Sequence, residues 1–225
     1  MILLIAASLA AAACPDVVTA DAFLCRAQAA SETGDQQSAA AAFEQAAAAT
    51  EATNPAQARM LAAAGNLWIA AGQPGKAALA LDKALAGTGL EAEQRGEALL
   101  DRARAAEAQN DLKVARAKLT EALASIGEDP FAWYFSAALA IREDNAAIAQ
   151  SAINTALSLA PNDPTILFEA GHVAHFANNL PAAKDYWTRA ERGDATGPVG
   201  KAAREALALL ARPAPAAPPP VPPKP

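Results

Sequence analysis

The sequence predicts an all-α solenoid of about five helix pairs closed by a final helix. Three observations carry that expectation. Alanine supplies 67 of the 225 residues, with only 6 Phe, 3 Trp and 2 Tyr. Ala is the best helix former and a poor strand former, and an Ala-built core implies closely packed helices. Polar helix breaks recur at Gly34, Gly72, Asn110, Asp144 and Asn178, at intervals of 38, 38, 34 and 34 residues. Around each break the same order of small and large residues returns, the signature of a stacked repeat.

The first segment reads as an export signal. Ile2–Ala13 is uncharged and apolar, ends in small residues, and is too short to span a bilayer. No Lys or Arg precedes it, so a buried first helix in a cytoplasmic protein is the alternative. Residues 1–13 are therefore expected to be a signal peptide, 14–212 a solenoid domain and 213–225 a tail.

Cys14 and Cys25 are the only cysteines. Three readings stand. A disulfide in an oxidising compartment would pin the first segment to the first helix, worth up to about 3 kcal/mol. Acylation of Cys14 would make the protein a lipoprotein, although Ala11 stands where such signals usually carry Leu. Two inert thiols are the third. No second Cys/His cluster exists, so no zinc site is expected.

The repeats follow. Unit one carries Phe23, Ala27, Ala30, Gly34, Ala39, Phe43 and Ala46. Unit two carries Ala64, Gly65, Trp68, Gly72, Ala77, Leu81 and Ala84. Unit three places Leu99, Ala103, Ala106, Asn110, Ala115, Leu119 and Ala122 at matching spacings. Unit four reads Trp133, Ala137, Ala140, Asp144, Ala149, Ile153, Ala156 and Pro161. Unit five reads Leu167, Gly171, Ala174, Asn178, Ala183, Trp187 and Ala190. Small pairs such as Gly65 with Ala77 let two helices approach, and the large residue of each second helix fills the gap to a neighbour. No unit can bury its apolar face alone, so the units stack. Asp129-Pro130 and Asp163-Pro164 read as helix starts, with an acceptor at the N-cap and proline in the first turn. The longer units imply longer helices or longer inter-unit loops.

Pro198–Arg212 is one more amphipathic helix, suited to cap the stack. The tail holds eight of the sixteen prolines and is expected to be disordered or polyproline II.

These spacings resemble the tetratricopeptide repeat (TPR) family over about residues 20–195. Unit four is the closest match. Units one and three depart, with Arg26 and Arg102 where the family usually has Leu. The resemblance implies a right-handed superhelix and non-catalytic protein–protein binding, as a scaffold or adaptor in envelope complex assembly. It also implies a concave groove lined by first helices. Carried across, the C-terminal half of that groove holds Phe131, Tyr134, Arg142, Phe168, His172, His175 and Phe176, with Ala138 and Ile141 between them. The N-terminal half is more polar, with Gln28, Glu32, Arg59, Asn66, Glu97, Arg104 and Glu107. Aromatic and Arg side chains are the usual anchors, so the C-terminal half is the expected partner site. The family's clamp for a peptide carboxylate is not expected, because Ala62 and Ala70 stand where Lys would be.

Enzyme motifs are absent: there is no GxSxG, HExxH, P-loop or GxGxxG. Net charge is −6 with scattered Lys and Arg, so no nucleic-acid footprint exists. No cofactor is expected. His172 and His175 share a helix face three residues apart, with Glu169 a third candidate ligand. A metal protein or enzyme using that pair is one alternative, and a self-associating structural module is another. With export, the partner is a protein or peptide in a bacterial periplasm or at an envelope membrane, where peripheral association is also open.

Overall fold

The computed structural model describes residues 14–211. The expected signal peptide, Arg212 and the proline-rich tail lie outside the described residues. Among the described residues there are eleven helices and no strand. None is long and apolar enough to cross a membrane. The described residues divide into two compact units, one ending at Ile126 and the other beginning at Gly127.

The first unit holds α1 (Ala20–Glu32), α2 (Gln36–Ala48), α3 (Pro55–Ala70), α4 (Pro74–Ala86), α5 (Ala92–Ala108) and α6 (Leu112–Leu123). The second holds α7 (Pro130–Arg142), α8 (Ala146–Leu159), α9 (Pro164–Phe176), α10 (Leu180–Gly193) and α11 (Pro198–Leu210). These are five antiparallel pairs and a closing helix.

One two-residue device closes the first helix in all five pairs and caps the second in four. Gly34, Gly72, Asn110, Asp144 and Asn178 sit at φ 75°, 67°, 62°, 55° and 57°. These are the residues on which the repeat was aligned. Glycine reaches this left-handed region freely, and Asn and Asp tolerate it best among the rest. The next residue then donates its N–H back to the third-last helical carbonyl, as Asp35 does to Ala30 at 2.9 Å and Asn179 to Ala174 at 2.8 Å. That closes the first helix as a Schellman motif. The same residue starts the second helix. Asp35, Asp111, Asn145 and Asn179 accept from the backbone N–H three residues on, at 3.0, 3.1, 3.1 and 3.2 Å. Gln73 makes no such side-chain bond.

The longer units have longer first helices. α3 and α5 run 16 and 17 residues against 13 for α7 and α9, about one extra turn each. Arg102 donates from Nε to Asp82 Oδ1 at 2.8 Å. The pair ties α4 to α5 across twenty residues of sequence.

The cores are mainly alanine, with a few large side chains among them. Leu81 lies on Gly65 and Trp187 on Gly171, and Leu119 and Ile153 are likewise buried. Burying each of these stabilises its pair by about 1.5–3 kcal/mol. At the amino end Cys14 and Cys25 are joined by a disulfide. Arg26 donates to the Pro15 and Val17 carbonyls at 2.7 and 3.0 Å, holding the same segment. At the other end Asp194 Oδ2 accepts from Val199 and Gly200 N–H at 2.9 and 3.2 Å, which caps α11. Ala203, Leu207 and Leu210 pack into the cluster around Trp187.

Candidate binding sites on the first helices

In the first unit, α3 and α5 lie side by side and leave a depression of about 560 Å³ between them. Arg59, Ala62, Asn66 and Leu67 come from α3; Gln94, Glu97, Ala98 and Asp101 come from α5. Both sets follow helical spacing of three and four, so each presents one stripe. Phe43 and Leu90 add apolar wall. Across the floor Asn66 Nδ2 donates to Asp101 Oδ2 at 2.8 Å. Arg104 Nη1 donates to Asp101 Oδ1 at 3.2 Å. Burial pushes the Asp101 carboxyl above its ordinary range; the Asn66 and Arg104 bonds pull the other way and do not cancel it. The site therefore combines apolar walls with an amide, a carboxylate and two opposite charges at its rim, Arg59 and Glu97. Such a surface can hold an extended segment by its side chains and its backbone together.

Three of the expected N-terminal groove residues, Arg59, Asn66 and Glu97, line this depression. Gln28 and Glu32 do not; they bond to each other at 3.2 Å. Arg104 acts from behind, through Asp101. Asp101 itself was missed, although it lies four residues after Glu97 on the same stripe. Phe43 was read as core, and Leu90 carries no local signal because it precedes its helix.

In the second unit, α7 and α9 form a smaller depression of about 310 Å³. Ala138, Ile141, Glu169, His172, His175 and Phe176 line it. So three of the seven expected partner residues, His172, His175 and Phe176, come together there. The other four do not line it. Phe131 is 46% exposed in the first turn of α7. Tyr134 packs against the core around Ile153 and Ile166. Arg142 is exposed at the last position of α7. Phe168 turns to the α10–α11 side, packing with the Trp187 cluster, and its carbonyl accepts from Trp187 Nε1 at 3.0 Å.

Glu169 is buried, and its Oε2 lies 3.3 Å from His172 Nδ1. The His172 ring meets Phe168 edge-on at 4.4 Å, and the His175 ring lies 5.8 Å from the Trp187 ring. Among the described residues no three His, Cys, Asp or Glu side chains form a group able to hold a metal ion.

The chain matches no family model and no curated protein sequence. Solved structures do resemble it. The crystal structure of PilW, a type IV pilus biogenesis factor, superposes with a TM-score of 0.69 at 19% identity, covering 83% of each chain. A tetratricopeptide repeat protein from Parabacteroides merdae gives 0.67 at 16% identity, over 85% of this chain and 73% of that one. YrrB, a TPR protein with an unusual peptide-binding site, gives 0.59 at 17% identity, over 83% and 92%. At these identities the likeness is one of fold: the all-α helical repeat of TPR proteins.

Proposed function

We propose that the protein is a non-catalytic scaffold that binds a protein or peptide segment in the depression between α3 and α5. The observation that carries this is the depression itself: about 560 Å³, apolar-walled, with the Asn66–Asp101–Arg104 network across it. Most of its residues come from the first helices α3 and α5. This moves the main site from the aromatic half of the expected groove to the polar half. YrrB and PilW, similar in fold, are a peptide binder and a pilus biogenesis factor, which supports a role in assembling envelope complexes.

The proposal extends to location. The Cys14–Cys25 bond persists in an oxidising compartment and is rare in cytosol, which supports export by the segment 1–13. A disulfide at Cys14 also leaves no thiol there for acylation.

A photocrosslinking residue at Ala63, inside the depression, tests the binding surface against one at Ala147 on α8. A protein adduct formed only from position 63, and weakened by Glu97→Arg, is the expected result. The same adducts from both positions would reject the site.

A further inference from the structure

We propose that the depression between α7 and α9 seats this chain's own C-terminal segment, residues 213–225, with Lys224 against Glu169. This site is separate from the α3–α5 surface and does not rest on it.

The chemistry of the depression sets the occupant. Its walls are Phe176, Ile141, Ala138 and two imidazoles. Its acid is Glu169, whose side chain is only 8% exposed and has His172 as a neighbour on one oxygen. A carboxylate so far withdrawn from water is best met by a cation that brings its own alkyl stem, which is lysine. Aromatic-lined depressions suit proline-rich segments, which lose little freedom on binding.

Residues 213–225 have that composition. Eight of the thirteen are proline, and Lys224 is the single charged side chain among them. Connectivity brings the segment to the right place. A Cβ on Gly193, at the end of α10, would stand 2.9 Å from Pro164 at the start of α9. α11 starts at Pro198, five residues after Gly193, packs on α10 and also touches α9. Leu207 and Leu210 keep its last turns in the same cluster as Leu167 and Ala174. The chain leaves α11 at Ala211, with 14 residues still to come. In extended polyproline form these reach about 43 Å. α9 is 13 residues, or about 20 Å, so the segment can turn back and reach the depression.

The test compares amide NMR spectra of the full chain, its Lys224→Glu variant and a chain ending at Ala211. Every described helix lies within 14–211, so the shortened chain keeps them all. Shortening is expected to shift the Ile141, His172, His175 and Phe176 amides and leave Arg59 and Asn66 in place, equally at high and low protein concentration. Unchanged amides at the four positions would overturn the proposal and leave the depression to a foreign partner. Shifts that vanish on dilution would also overturn it, since the segment would then come from a second copy. A synthetic peptide of residues 212–225 should bind the shortened chain at the same amides. Its Lys224→Glu form should bind at least about fivefold more weakly, since it loses the ion pair and sets a second carboxylate against Glu169. Equal binding of the two peptides would remove Glu169 from the site.

Discussion

Trp187 seats its indole directly on Gly171. A Cβ on that glycine would stand 2.7 Å from the indole Cε2. The indole cannot easily retreat, because it is 4% exposed and its Nε1 is bonded to the Phe168 carbonyl at 3.0 Å. Gly171→Ala would gain about 1 kcal/mol of helix propensity and lose about 1–3 kcal/mol to overpacking. The expected net is a loss of up to about 2 kcal/mol, read as a lower urea midpoint. A raised midpoint would mean that the α9–α10 contact gives way freely.

The left-handed turn residues make a sharper test: a Cβ at Gly34 or Gly72 would meet nothing within 4 Å, so backbone conformation decides there. Asp144 holds φ 55° between α7 and α8. A β-branched residue fits that conformation worst, so Asp144→Val should cost about 1–2 kcal/mol. Asp144→Gly should cost nothing or stabilise. Equal stability of the two variants, measured by thermal unfolding, would contradict a turn held by backbone conformation.

Asp101 predicts a pH dependence. Its carboxyl is raised in the folded chain above the ordinary 3.8, chiefly by burial. The folded state therefore holds that proton more tightly than the unfolded state. The resulting stability is full below the unfolded value and lost as pH rises through the folded one. Asp101→Asn carries no such loss. Its stability relative to the parent chain should rise between about pH 3 and about pH 7, even though its bond to Arg104 is weakened throughout. A difference that stays flat, or falls, across melting curves at the two pH values would show that Asp101 is not desolvated.

Reduction should loosen the amino end. The bridge joins residues eleven apart, and a loop of that size is worth about 3 kcal/mol in the chain-entropy model. Adding a reductant should lower the denaturation midpoint, and Arg26→Ala should add to the loss by freeing Pro15 and Val17. An unchanged midpoint would place residues 14–19 outside the cooperative unit.

The sequence by itself determined the repeat, its phase and its turns, because each depends on residues close in the chain. A left-handed Gly, Asn or Asp followed by a capping residue dictates a helix–turn–helix whatever surrounds it. The five breaks used to align the repeat are the five residues at positive φ among the described residues, and the closing helix begins at Pro198 as its pattern implied. Only the tertiary structure decided what the first helices do with their open faces. Phe168 and His172 share a stripe of α9, yet Phe168 is drawn into the α10–α11 cluster while His172 borders the depression. Asp101 carries no local mark of its role; Asn66, thirty-five residues earlier on α3, and the packing there make it a half-buried, partly desolvated acid. Helical spacing fixes which residues share a face, but the neighbour that packs there decides whether that face is core or surface.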